Sequence, residues 1–398
     1  MNRKTDSGHD APAKADLKGC ASGKSGFMGC TLCESACRHD AITRSWDNII
    51  FDEISCTGCG ACASACPLSL FRMEEDIYSK MYSLLEPFNP VPEKTAHKIL
   101  MFMCEHSRHL LDAKRSKKIK YPAVLSLFVP DLAGISETHI LRAFDLGADG
   151  VIMFGCDECT GQFSKVTSGL AGQILDEFNL GDRISIIKNN KNTKSLVSSI
   201  ESFTEHITPS PLRKFEPVVL KNTSNRQILI ELISSLAAKT GIVPHTVIEN
   251  ALLPFADISI SSSCTVCDAC TSMCTAGALV RDEGSITYRY GNCIACGLCE
   301  QACPEKALTM KRVLDMEKLI DNAPSTIYMS ELQVCTSCRK PYMTRAAFDR
   351  ISCSFIENVR DDIGPKEQIE LIKNQTELLM YCENCRPARA ILRMEVLS

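Results

Sequence analysis

From residue 97 to residue 188 the chain alternates apolar runs of strand length with stretches of helical spacing. HKILMFMCEHSRHL (97–110) opens apolar and ends polar, and YPAVLSLFVP (121–130) is a second strand candidate. GVIMFG (150–155) is apolar throughout, as a strand buried on both faces is. RISIIK (183–188) is a further strand. Between them, ETHILRAFDLGADG (137–150) and SGLAGQILDEFNLG (168–181) carry helical spacing. This alternation predicts a small doubly wound α/β domain over residues 95–205.

Other segments read differently. The polar start, residues 1–19, is expected as a disordered tail. RHDAITRSWDNIIFDEIS (38–55) and TAGALVRDEGSITYRYGN (275–292) both read as a helical turn, then short β segments around a turn. NRQILIELISSLAAKTG (225–241) predicts an amphipathic helix ending at Gly241, within a helical linker over 206–256. PFADISIS (254–261) predicts a strand. PYMTRAAFDRISCSFI (341–356) and GPKEQIELIKNQTELLMYC (364–382) have helical spacing.

A length of 398 residues suggests two to four units. Net charge is −4, which argues against a dedicated nucleic-acid binder. No run of 18 apolar residues predicts a membrane span, and the start lacks a signal-peptide core and a twin-arginine pair. A cytoplasmic location is therefore expected, and there clustered thiols serve as metal ligands rather than disulfides.

The chain carries 24 cysteines, and they are clumped. CIACGLCEQACP, from Cys293 through Cys296, Cys299 and Cys303, has the spacing C-x2-C-x2-C-x3-C-P. Its first three thiolates wrap one iron–sulfur cube and its fourth reaches a neighbouring cube. CTGCGACASACP repeats the form at Cys56, Cys59, Cys62 and Cys66, and CTVCDACTSMCT at Cys264, Cys267, Cys270 and Cys274, with Thr275 in place of the proline. The run at Cys30, Cys33 and Cys37 has Phe27 where its first cysteine belongs. Cys20, brought in by a loop containing Gly23 and Gly26, is the candidate substitute. Crossed ligation then groups Cys20, Cys30, Cys33 and Cys66; Cys56, Cys59, Cys62 and Cys37; Cys264, Cys267, Cys270 and Cys303; and Cys293, Cys296, Cys299 and Cys274. Four [4Fe–4S] clusters are expected. A zinc array is the weaker reading, because zinc sites use paired CxxC knuckles.

Cys104 and Cys156 lie at predicted strand ends, where open α/β sheets bind ligands, and Cys159 follows at a helix start. They are read either as ligands of a [2Fe–2S] cluster, with His106 or His109 as the fourth, or as a redox dithiol at Cys156 and Cys159, or as an inert remnant. Surface exposure is the preferred reading of the histidines. Asp157 and Glu158 would oppose a low thiol pKa. Cys335 with Cys338 and Cys382 with Cys385 form two knuckles, read as zinc first, a rubredoxin-like single iron second and bare thiols third. Cys353 is expected in a core. GCASGKSG (19–26) is one residue short of a phosphate loop, and no nucleotide, flavin or nicotinamide site and no catalytic triad is visible.

Both eight-cysteine modules resemble bacterial 2[4Fe–4S] ferredoxins. ILRAFDLGADGVIMFGCDEC (140–159) resembles the delta subunit of methyl-viologen-reducing hydrogenase. That resemblance implies electron passage from a hydrogenase or formate dehydrogenase to heterodisulfide reductase through a [2Fe–2S] cluster. The family has further cysteines near Cys104 and in the segment matching LFVPDLAG, and here only Cys104, Cys156 and Cys159 remain. The combination resembles multi-cluster proteins that accompany molybdenum formate dehydrogenases. The expected fold class is α+β multidomain. Two (βαβ)2 ferredoxin-like modules (20–90 and 257–315) flank the α/β domain, and a C-terminal helical, zinc-ribbon-like four-cysteine domain (325–398) follows. The expected function is single-electron relay between redox partners, without independent catalysis, without nucleic acid and without membrane insertion. The alternatives are a redox-sensing or assembly protein, or a (hetero)disulfide reductase using Cys156 and Cys159.

Overall fold

The computed structural model describes residues 13–86, 97–108, 123–357 and 364–390, apart from 47, 158, 160, 161, 190, 191, 222, 223, 251 and 252. His109 and Glu158 lie outside the described residues. The chain divides into two compact units, 1–248 with 314–321 and 249–313 with 322–398. No helix among the described residues is long and apolar enough to cross a membrane.

In the first unit, strand Ala13–Ala15 pairs antiparallel with Phe71–Met73. The expected disordered tail is thus corrected over 13–15. A three-residue strand shows no readable periodicity, and its partner lies more than fifty residues away. Between these strands sit the helical turns Leu32–Ala36 and Ala61–Ala65 and the hairpin Ile42–Ser45/Asn48–Phe51. Cys33, Cys62, Cys66, Ile42, Ile49 and Phe71 share one buried cluster.

The remainder of this unit is built on a parallel sheet of Leu125–Val129, Ile99–Cys104, Gly150–Gly155 and Ile184–Lys188, in that spatial order. In chain order this is 2-1-3-4, and the order reverses between the two central strands. Both central strands are buried at every residue. Ile99, Met101 and Met103 face Leu196 and Ile200 of helix Thr193–His206. Alternate residues Leu100 and Phe102 are equally buried, so both sheet faces are covered.

Helix Asn225–Thr240 is no linker. Leu232, Ile233 and Leu236 are fully buried, and the helix packs on Glu137–Asp145. Buried Asp145 ties the two together. It accepts from Lys239 Nζ (2.5 Å), Ser235 Oγ (2.8 Å), the Val218 N–H (3.1 Å) and Arg142.

The second unit repeats the first module's plan. Strand Ala256–Ile260 pairs antiparallel with Leu308–Asp315, and Leu279–Arg281 with Ser285–Tyr288. Ser325–Met329 extends the latter sheet, so these residues complete this module rather than opening the C-terminal domain as expected. The hairpin Leu332–Val334/Pro341–Thr344 and helices Arg345–Glu357 and Pro365–Leu379 follow. The helical reading of 341–344 is corrected: these residues form a strand, whose Thr344 Oγ1 donates to the Thr265 carbonyl (2.8 Å).

Candidate metal centres

Three of the four cysteine runs share one backbone pattern. Gly58, Val266 and Ala295, each just before the second cysteine, have φ of 73°, 56° and 52°. Gly60, Asp268 and Gly297, just after it, have φ of 80°, 75° and 81°. A β-branched residue at positive φ is rare, and surrounding structure must hold it there. The conformation aims backbone donors at sulfur. The N–H groups of Val266 and Ala295 lie 3.4 Å from Cys264 Sγ and Cys293 Sγ. Past each closing cysteine, the N–H four residues on does the same: Leu70 to Cys66 (3.5 Å), Ala278 to Cys274 (3.2 Å) and Ala307 to Cys303 (3.2 Å).

The thiols gather in four groups. Burial, then the neighbouring thiolates of Cys30, Cys66 and Cys20, pushes Cys33 up to about 12. Burial, then Cys59, Cys56 and Cys37, does the same to Cys62. Cys270 rises to about 11 through burial, then Cys264, Cys267 and Cys303. Cys299 rises through burial, then Cys293, Cys296 and Cys274, and it also feels Cys270 across the module. Cys20 reaches its group by a tight turn. Ser25 and Gly26 both have positive φ, the two-residue geometry that reverses a hairpin. The ladder continues through Gly29 N–H to Ser22 O and Cys30 N–H to Ala21 O (both 2.7 Å), which sets Cys20 beside Cys30. GCASGKSG is thus part of a hairpin and leads into no helix.

A hollow opens among Cys37, Cys56, Cys59 and Cys62, with Gly58 and Gly60 in its wall and His39 and Thr57 as its other polar lining residues. Four converging thiols, inward N–H groups and glycine walls fit an iron–sulfur cube.

Cys104 ends one central strand and Cys156 follows the other, with Cys159 three residues on. His106 joins them: its ring nitrogen and the three sulfurs all lie within 4.8 Å of one another. The expected surface exposure of His106 holds, and the exposed ring also stands beside the three thiols. His106 lies two residues after Cys104, which ends its strand. A hydrogen bond with Cys159, and another with Ser107, draws the Cys104 thiol down to about 5. Exposed Asp157 stands 3.8 Å from Lys188 Nζ.

Cys335, Cys338, Cys382 and Cys385 also converge, with all four sulfurs within 4.8 Å. The hairpin Leu332–Val334/Pro341–Thr344 carries the first pair at its turn, and the end of helix Pro365–Leu379 delivers the second. Tyr342 Oη donates to the Leu379 carbonyl, locking the two pieces together. Cys338 and Cys382 sulfurs are 3.7 Å apart. Thiolates about 2.3 Å from one tetrahedral ion stand about 3.8 Å apart, so this set fits a single zinc. The Cys382 N–H donates to Cys335 and draws that thiol down to about 6. Cys353 is exposed, which corrects its expected core position. Phe348 carries the buried face of its helix, and five residues at about 100° each rotate Cys353 well away from it.

Residues 99–209 match the family of the methyl-viologen-reducing hydrogenase delta subunit. Residues 263–308 match a 4Fe-4S dicluster domain, and residues 46–68 a 4Fe-4S binding domain. The chain is 31% identical over 83 residues to the ferredoxin-type protein NapF of Escherichia coli (strain K12), covering 20% of this chain and 51% of that one. It is 39% identical over 59 residues to the pyruvate synthase subunit PorD of Methanothermobacter marburgensis, covering 15% of this chain and 65% of that one. The chain thus spans about half the length of NapF and somewhat more of PorD. It contains 4Fe–4S ferredoxin-type domains beside a segment of hydrogenase delta-subunit type.

Proposed function

We propose that this chain is an iron–sulfur electron-transfer protein that relays single electrons through four [4Fe–4S] clusters, between an oxidoreductase of hydrogenase or formate dehydrogenase type and an acceptor. The observation that carries the reading is the gathering of sixteen thiols into four groups of four, each joining three cysteines of one run to one of its neighbour. Bound cubes would supply one-electron redox chemistry. The chain holds them in a low-polarity shell and lowers the charge on their sulfurs with backbone N–H donors, which raises the potential. Cys299 feels Cys270 of the other group, so the two sites of that module are neighbours. The Cys335, Cys338, Cys382 and Cys385 set would hold zinc and brace the C-terminal hairpin against its helix. The delta-subunit segment supports a redox-enzyme partner of the hydrogenase kind, and a formate dehydrogenase or heterodisulfide reductase is the further partner class proposed.

Anoxic purification from native cells tests the reading. About 16 iron atoms per chain and co-purification of a molybdenum or nickel oxidoreductase are expected. Fewer iron atoms with maturation factors bound would favour the assembly reading. The assignment of Cys20 is tested separately: Cys20→Ser should cost about four irons, whereas Cys353→Ser should cost none.

A further inference from the structure

The central α/β sheet ends in a ligand set that does not suit the two-iron cluster implied by its delta-subunit resemblance. A [2Fe–2S] core divides its four protein ligands between two irons, so ligands on different irons stand across the core from each other. Here every ligand atom lies within 4.8 Å of every other, as in the C-terminal four-cysteine set. Cys156 and Cys159 sulfurs are 3.3 Å apart. Such spacing surrounds one ion, whose tetrahedral edge is about 3.8 Å for thiolates at about 2.3 Å. The donors are three cysteines and one histidine, an established composition for closed structural zinc sites.

The surroundings are built for a fixed site. Cys104 and Cys159 are buried, Cys156 is half-buried and His106 caps the solvent side. Ser107 Oγ lies 3.2 Å from Cys104 Sγ and accepts from Asn189 Nδ2 (3.1 Å). Asn189 is itself anchored through its N–H to the Gly155 carbonyl (2.8 Å). This chain of bonds orients the Cys104 sulfur from behind, as outer-shell partners of metal ligands do. At Gly155 a Cβ would stand 2.6 Å from Leu132 Cδ1 and 3.0 Å from Cys159 Cβ, so the strand end closes tightly on the site.

We propose that Cys104, His106, Cys156 and Cys159 form a mononuclear zinc site that staples together the carboxyl ends of the two central strands. The α/β domain is then redox-silent, and electrons in this unit stay with the cubes. The site is independent of the relay reading, since zinc and iron are counted separately.

The test is elemental analysis of the full chain, purified anoxically, with X-ray absorption at the zinc edge. Wild type should hold about two zinc and about 16 iron. Cys156→Ser should lose one zinc and keep its iron. In Cys338→Ser the one remaining zinc should show three sulfurs and one nitrogen. A wild-type count of one zinc overturns the proposal even where a variant fails to fold. So does loss of two irons in Cys156→Ser, which identifies a two-iron cluster, or retention of both zincs, which leaves bare thiols. Loss of the relay partner with two zincs retained would count against the relay reading alone.

Discussion

At Gly60 two demands meet on one residue. Its φ of +80° favours glycine, and an added Cβ would stand 3.0 Å from Gly134 Cα. Helix Ala61–Ala65 is thereby pressed onto the loop after Leu125–Val129, and Ser64 Oγ donates to the Ala133 carbonyl (2.6 Å). Gly60→Ala should destabilise this unit by about 1–3 kcal/mol, read as earlier loss of cluster absorbance in a denaturant titration. His139 is a second decisive residue. It is buried, stacks on Tyr78 with ring centroids 4.4 Å apart, and its Nδ1 accepts the Ser136 N–H (3.1 Å). Burial lowers its pKa to about 4, against 6.5 when solvated. The unfolded chain therefore binds the extra proton first. Stability is fully present above pH 6.5 and declines as pH falls toward about 4, by up to about 3 kcal/mol. Denaturation at about pH 7.5 and about pH 5.5 should show this loss in wild type and much less of it in His139→Gln, which cannot take up a proton there.

At the level of elements, Asn225 does what no motif announces. Its Nδ2 donates to the carbonyls of Ala63 (2.8 Å) and Cys66 (3.0 Å), where helix Ala61–Ala65 runs out of partners. Asn225→Ala should cost about 1–3 kcal/mol and loosen the Cys66 group first, seen as selective iron release on mild heating. The cysteine runs were readable because thiol spacing is itself the chemistry. The apolar runs at Ile99–Cys104 and Gly150–Gly155 were readable because strands buried on both faces leave unbroken hydrophobic text. Ala13–Ala15 and Ser325–Met329 were not readable as parts of the modules, because short edge strands are defined by distant pairing rather than by their own pattern. Positive φ at Val266 was hidden for a related reason: glycine marks that position at Gly58, but valine gives no local sign of it.

Across the whole molecule, each unit carries two groups of four thiols and one compact set of Cys or Cys and His ligands. The buried carboxylates hold the first unit's helices in place. Asp145→Asn would leave Arg142 and Lys239 facing a weakened partner inside the protein. A loss of about 3–5 kcal/mol is expected, measured as a shift in the urea midpoint of the full chain. None of this charge network was legible beforehand, because Asp145, Arg142 and Lys239 meet only once helix Asn225–Thr240 docks.

The exchange of one thiol between neighbouring runs sets an order on biosynthesis. When Cys37 leaves the ribosome, neither group of the first module is complete, since one lacks Cys66 and the other lacks Cys56, Cys59 and Cys62. The same holds at Cys274 in the second module. On the proposed ligand sets a half-made module therefore offers no finished cradle, and its metal would arrive after the second run has emerged, almost at once for both sites.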